Sequence, residues 1–450
     1  MRLKKERELS EKIWEVRVMS ENTLNQQAVQ AKEENKALVQ AKRVILALQH
    51  LIAMFGATVL VPILTGINPS VALVCAGVGT LIFHQVTKKK VPVFLGSSFA
   101  FIAVINTVKD AYGGDLRYAQ GGIIVAGFIY ILASFAVKKI GMDKIKKLLP
   151  AHVIGPMIVV IGFNLIPTAF NMASENFMIA GITLAVALGM NIFAKGFAKQ
   201  LSILTGVAVG YGVSLAMNLV NTAAITDAAL VAMPAFTLPK FDVAAIAIIA
   251  PVVLAVFMEH LGDITTNGAV VGQNFIEDPG LNRTLLGDGL ATLFAGMVGG
   301  PANTTYGENT GVLAMTKNYD PSILRLAAVF AIALGFIGKL GGVLNSIPTF
   351  VMGGISFMLF TMIALVGIKQ IVNIDFKAEK KLDVRVKLSV GNIIIMISIL
   401  FLGLCGTYLK LNLGIKLTDM VSISGLSLAA LVGVGLNAIL NIVLPKLLKK

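Results

Sequence analysis

Apolar stretches of about twenty residues recur from residue 44 to the C-terminus, and that recurrence admits few folds. A helical run of this length matches the hydrocarbon thickness of a bilayer. The runs are continuous rather than alternating, which argues against a transmembrane β-barrel. With 56% hydrophobic and 14% charged residues, the chain also lies far from an ordinary soluble domain. The expectation is an all-α integral membrane protein with fourteen transmembrane segments. These fall at about 44–65, 70–87, 93–109, 119–137, 149–169, 176–194, 201–220, 243–264, 284–299, 302–316, 322–341, 345–367, 388–407 and 421–444, with a polar stretch over 221–242.

Charge sets the expected topology. Residues 1–43 hold ten Lys/Arg and seven Asp/Glu and read as a polar N-terminal extension, with no cleavable signal peptide. Ile13, Trp14, Val16 and Val18 offer a surface anchor as the alternative. With both termini in the cytoplasm, 22 further Lys/Arg fall on the cytoplasmic side. Six fall outside: Lys109, Arg117, Lys240, Lys339, Lys410 and Lys416. The positive-inside rule predicts this asymmetry. It accounts for the net charge of +14 without nucleic acid, so lipid is the expected surroundings. Cys75 and Cys405 lie in apolar runs and suggest no disulfide framework.

Two spans are interrupted. Gly300-Pro301-Ala302-Asn303-Thr304-Thr305-Tyr306-Gly307-Glu308-Asn309-Thr310-Gly311 is polar and Gly-rich and carries a carboxylate. Thr304-Thr305-Tyr306 favours extended backbone, and a short helix can follow from Gly307. Gly96-Ser97-Ser98-Phe99-Ala100-Phe101 lays over Asn303 to Glu308, hydroxyl on hydroxyl and aromatic on aromatic. Broken helices within a membrane must be buried in protein or line a wet cavity, and matched breaks in two halves point to a transporter's substrate site. The halves match elsewhere too. Gln49-His50-Leu51 pairs with Glu259-His260-Leu261, and Pro150 to Gly155 with Pro348 to Gly353. Seven spans per half, an odd number, make the second half enter the membrane the opposite way. The result is a 7+7 inverted repeat.

The site chemistry follows from four stretches. A carboxylate at mid-membrane is unfavourable by at least ~2.5 kcal/mol, so Glu259 must be protonated, paired or facing water. That makes Glu259 the proton-coupling candidate. Asp263, four residues on, shares its helical face. His260 points elsewhere and reads as a packing residue bonded to a neighbour, as does His50. Backbone N–H groups of Gly307, Glu308 and Phe99 can donate to substrate carbonyls, and half-helix N-termini add positive dipole ends. The Glu308 carboxylate can accept from a substrate N–H. Phe99 and Tyr306 offer ring faces for a flat molecule. Acceptors, donors and aromatic planes suit a neutral pyrimidinedione or oxopurine. An inorganic anion fits less well, because two or three acids would repel it. No metal-ligand cluster and no nucleophile–base arrangement points to an enzyme, and no cofactor is expected.

At these residues the sequence resembles the nucleobase–ascorbate transporter family, also called nucleobase–cation symporters of the second type, and most closely its bacterial uracil permeases. The family signature, Gln or Glu followed by Asn-x-Gly-x-x-x-x-Thr, is met by Glu308-Asn309-Thr310-Gly311 through Thr316. Leu48 to Thr58 and Leu95 to Phe101 resemble its first and third helices. The likeness covers about residues 44–445. It implies a core domain from 44–147 and 243–342, a gate domain from 148–242 and 343–450, and substrate between crossed strands of segments 3 and 10. By matched position Glu259, Glu308, Gly307 and Phe99 would contact uracil, beside Tyr306 and Asp263. Asn309, Ser98, Thr305 and His50 would support them. The resemblance further implies proton-coupled uracil symport by an elevator motion in a bacterial inner membrane, with sodium as the alternative ion. Family members also form dimers through the gate domain. Purine members often carry Gln at the position of Glu308, which favours uracil. Asp263 departs from the family's uracil permeases, which have His there. A xanthine or guanine symporter, and an anion channel or exchanger of the same architecture, are the other readings.

Overall fold

The structure, a computed structural model, describes residues 38–141, 144, 147–373, 383–384, 390–411, 413–416 and 422–444. The extension expected over 1–43, including Ile13, Trp14, Val16 and Val18, lies outside these residues up to residue 37. Much of the charged loop 369–387 lies outside them too. Residues up to Gln49 form one compact unit and His50–Lys450 another.

Leaving aside the shorter helices Phe197–Gln200, Ala223–Thr226 and Gly338–Ser346, the helices in chain order are α1 (Leu38–Thr65), α2 (Pro69–Val86), α3 (Ile102–Ala111), α4 (Arg117–Ile140), α5 (Ala151–Ser174), α6 (Phe177–Phe193), α7 (Ser202–Ala216) and α8 (Val243–Val271). They continue as α9 (Leu281–Val298), α10 (Gly307–Thr316), α11 (Pro321–Gly335), α12 (Thr349–Ile371), α13 (Val390–Leu409) and α14 (Gly425–Val443). Eight of them, α1, α2, α4, α5, α8, α12, α13 and α14, are long and apolar enough to cross a membrane. Capping residues set several starts. Asn68 accepts from the amides of Ser70 and Val71 ahead of Pro69, and Asp320 accepts from Ser322 ahead of Pro321. Asp242 accepts from Ala244 and Ala245 at the start of α8.

Helices α3 and α10 are ten residues each and follow short strands, β1 (Leu95–Ser97) and β2 (Asn303–Thr305). The strands are antiparallel, with Leu95 opposite Thr305, Gly96 opposite Thr304 and Ser97 opposite Asn303. Ser98 N donates to Ala302 O at 2.9 Å, and Tyr306 N to Phe94 O at 3.0 Å, extending the pairing at both ends. Hydroxyls from flanking helices serve the outer edges. Thr80 on α2 accepts from Leu95 N at 2.9 Å, and Thr292 on α9 accepts from Asn303 N at 3.3 Å.

Glycines let the helices around this pair approach backbone to backbone, the usual solution where lipid removes the hydrophobic drive between helices. α2 packs on α11, α4 on α9, and α5 on α12. A Cβ at Gly77 would lie 2.5 Å from Ala328 O, one at Gly127 2.8 Å from Leu293 N, and one at Gly162 2.6 Å from Ala364 N. α12 also packs on α6, and α13 on α5. Between α7 and α8 the chain runs extended across the ends of α11, α9 and α4. There Ala232 N donates to Phe336 O at 3.0 Å, Thr237 N to Val298 O at 3.3 Å, and Lys240 N to Arg117 O at 2.9 Å. The stretch 221–242, expected to be polar, carries exposed Leu230, Val231, Met233 and Leu238.

Because α5 and α12 meet without room for a methyl group, Gly162→Leu should destabilise the fold. Overpacking typically costs about 1–3 kcal/mol, and a lowered unfolding midpoint in detergent would register it. An unchanged midpoint would mean that the two helices separate freely.

Candidate functional site

The polar groups of the interrupted segments converge with α8. Thr305 Oγ1, at the end of β2, donates to Asp263 Oδ2 at 2.9 Å. Gly307 starts α10 just beyond, and a Cβ placed there would have Asp263 Oδ1 as its nearest neighbour at 4.0 Å. Strand β2 thus fixes one oxygen of Asp263, while α10 begins beside the other. Glu308, half-buried in the first turn of α10, turns its carboxylate back on its own backbone N–H.

A cavity of ≈ 230 Å³ opens at Asp263, with Thr305, Gly307 and Glu308 outside its lining residues. One wall is Phe99 and Ala100, where β1 turns into α3, together with Glu259, Gly262, Asp263 and Thr266 of α8. Glu259 and Asp263 therefore share a helical face, as their spacing of four predicts. The opposite wall is Ile158 and Ile161 of α5 with Ile363, Val366 and Gln370 of α12. Among the described residues, no Lys or Arg lines the cavity. Its volume falls below the roughly 300–1,000 Å³ of sites for drug-sized ligands, a size for a small ring.

Supporting residues hold this arrangement from behind. Asn309 Nδ2 on α10 lies 3.2 Å from His50 Nδ1 and donates to His50 O at 3.0 Å, tying α10 to α1. Asn267 on α8 donates to Thr310 Oγ1 at 3.1 Å and Pro92 O at 3.0 Å. Ser98 is fully buried and its backbone carries the strand pairing, while its hydroxyl has no protein partner. His260 is a packing residue, as expected. Its Nε2 sits 2.9 Å from Thr284 Oγ1 and its Nδ1 2.9 Å from Asp288 Oδ2, all on α9 and fully buried.

Two placements differ from the sequence reading. Tyr306, expected to offer a ring face, is 4% exposed. Its ring covers Gly96, where a Cβ would collide with it, and its hydroxyl donates to Ser97 O at 2.9 Å. The tyrosine braces the strand pair instead, leaving Phe99 as the aromatic wall of the cavity. The second is Asp288, absent from the expected site. It lies fully buried on α9, 2.9 Å from His260 and outside the residues that line the cavity. The signal was available: Asp288 is an ionisable residue inside an apolar span, the criterion that selected Glu259.

A broken-helix crossing facing an acid-lined pocket is the architecture of a carrier, and comparison with known proteins decides which kind. Residues 41–412 match the family described as "Permease family". The chain belongs to this family. Among similar relatives, the "Uracil permease" of Bacillus subtilis is 40% identical over 421 residues, spanning 89% of this chain and 92% of the relative. The "Probable uracil permease" of Pasteurella multocida is 40% identical over 90% of this chain and 94% of its own length. The "Uracil permease" of Escherichia coli is 38% identical over 88% and 91%. The permease thus sits in the branch that its Glu308-Asn309 signature resembles. With its many apolar helices it is a multi-pass membrane protein, and a transporter rather than an enzyme. Its fold is shared more widely. The transmembrane domain of a cyanobacterial bicarbonate transporter, BicA, superposes with a TM-score of 0.59 at 14% identity, covering 88% of the permease and 96% of BicA. SLC26A9 superposes with a TM-score of 0.65 at 10% identity, covering 88% and 64%.

Removing the hydroxyl that holds Asp263 tests the geometry. Thr305→Val should raise the KM for transport about tenfold, near the worth of one hydrogen bond to a charged group, while leaving the unfolding midpoint in place. An unchanged KM would show that Asp263 needs no orienting partner.

Proposed function

We propose that this permease imports uracil together with a proton across a bacterial inner membrane, with both termini in the cytoplasm. The observation that carries the reading is the pairing of Glu259 and Asp263 on one cavity wall, with Phe99 beside them, Gly307 and Glu308 adjoining, and no cation among the lining residues. Carboxylates accept from the N–H groups of a pyrimidinedione. The Gly307 amide at the start of α10 donates to one of its carbonyls, and Phe99 stacks on its ring. Close relatives that bear the name uracil permease support the substrate. The fold is shared with a bicarbonate transporter, but among the described residues two acids and no Lys or Arg line this pocket, which disfavours an anion.

Proton coupling follows from charge. Glu259 and Asp263 stand four residues apart on one face of α8 and both line the cavity, and two carboxyl groups so placed resist joint ionisation. Glu259, at the centre of the cavity wall, is the group that exchanges the proton. Sodium is the alternative coupling ion.

The reading includes a seven-plus-seven inverted repeat. Exchanging each helix for the one seven later turns the α2–α11 contact into α9–α4 and the α6–α12 contact into α13–α5, which supports the repeat. It also includes an elevator motion of the core domain (44–147 and 243–342) against the gate domain (148–242 and 343–450), with dimers formed through the gate. The α5–α12 wall supports the sliding surface, because four of its five cavity residues are aliphatic and make no directional bond to the opposite side.

Two substitutions test these roles in proteoliposomes. Glu308→Ala should weaken uracil binding by about ten- to a hundredfold, the worth of a hydrogen bond to a charged group at ~1.5–3 kcal/mol. Unchanged affinity would remove Glu308 from the site. Glu259→Gln should leave exchange of labelled uracil but abolish its accumulation under an inward proton gradient. Accumulation at the native level would assign coupling elsewhere, and inhibition of the native protein by xanthine would move the substrate to the purines.

A further inference from the structure

The chain joining α7 to α8 is an apolar strap seated on glycines. A Cβ at Gly342 would collide with Ala224 O, one at Gly338 with Ala229 O, and one at Gly121 with Lys240 O. At Gly299 a Cβ would run into Thr237, whose hydroxyl also accepts from Gln120 Nε2 at 2.7 Å. Together with the backbone bonds to Phe336, Val298 and Arg117, these seats fix which side of the strap faces the protein.

The other side is apolar. Leu230, Val231, Met233, Phe236, Leu238 and Phe241 are between 40% and 79% exposed. Pro234 is buried and Ala232 is half-buried against the helix ends. The charges at the end of the strap are paired with one another. Lys240 Nζ donates to Asp115 Oδ2 at 3.0 Å and stands 5.2 Å over the Tyr118 ring. Arg117 and then Lys240 hold the Asp115 carboxyl well below the usual carboxylate range. Asp242 accepts from Tyr112 and from the first amides of α8. Contiguous exposed apolar surface of this kind marks a contact with membrane or protein.

The flanking helices decide between the two. The strap ends where α8 begins, and α8 is a 29-residue apolar span whose first residue, Val243, is 82% exposed. The apolar face of the strap therefore runs on into the exposed start of an apolar helix long enough to cross a membrane. We propose that the segment from Leu230 to Phe241 is a membrane-interface anchor, its six large apolar side chains inserted at the boundary of headgroups and acyl chains. Such segments bury an apolar face about 5–10 Å into that boundary. The anchor rests on the chain spanning a membrane and is independent of the substrate or coupled ion.

The test uses the scarcity of tryptophan, since Trp14 is the one Trp in the chain. In a Trp14→Phe background, Phe236→Trp and Leu238→Trp are each reconstituted into phosphatidylcholine vesicles, with or without bromine near the top of the acyl chains. Phe128→Trp, on the exposed face of α4, serves as the lipid-facing control. An anchor at the stated depth gives at least about twofold quenching at both strap positions. Unquenched, water-like emission at 236 and 238 with a quenched control overturns the proposal. So does disulfide coupling between copies through Leu238→Cys, which would make a second permease the partner. Uracil transport by the same variants is a separate readout, and its loss or retention bears only on the substrate reading.

Discussion

A backbone amide in hydrocarbon has no water to turn to, and this permease breaks two helices within its membrane-embedded core. The answer is the pairing of Leu95–Ser97 with Asn303–Thr305. Each strand satisfies the other, and Thr80 and Thr292 serve the edges that the partner strand does not reach. Much else depends on that pairing. It fixes where α3 and α10 begin and presents Phe99 and Gly307 beside α8. Through Thr305 it also sets the orientation of Asp263. Gly96 is part of the same solution, because only a residue without a side chain leaves room for the Tyr306 ring across the strand pair.

The two faces of α8 divide the work. One face carries Glu259 and Asp263 into the cavity. The other carries His260 into a dry contact with Thr284 and Asp288 of α9. The contact with Thr284 and Asp288 holds the helix in rotation as well as position. The cavity acids therefore face a fixed direction, while the wall opposite them is almost wholly aliphatic. A polar, fixed surface against a smooth apolar one suits a site whose contents move relative to one side only.

Much of this was legible in the sequence. Long apolar runs announced the helices, and the polar break around Thr304 announced the crossing. The spacing of Glu259 and Asp263 gave their shared face. What was missed was missed for identifiable reasons. Tyr306 was assigned to the substrate on its aromatic character alone. Yet side chains alternate along extended backbone, so a Thr305 that reaches Asp263 sends Tyr306 the other way. Asp288 sits between two glycines in an apolar span and met the criterion used for Glu259, but its partner His260 is distant in sequence and gave no local cue. Residues 221–242 looked polar because Asn221, Thr222, Asp227 and Asp242 frame them. The alternation of outward Leu, Met and Phe becomes visible only once the glycine seats show which side faces the protein.

The crossing also has a consequence in time. Leu95 leaves the ribosome long before Thr305, and at roughly 5–20 residues per second the interval is of the order of ten to forty seconds. Through that interval the edge of the first strand is without its mate inside a partly built protein. The nascent first half must therefore wait at a protected site, beside the translocation machinery or in contact with water, until the second half is synthesised. Assembly of the binding site is thus a late event of biogenesis. A chain truncated anywhere before residue 303 would present an open strand edge to the quality-control proteases of the membrane, whatever the soundness of its helices.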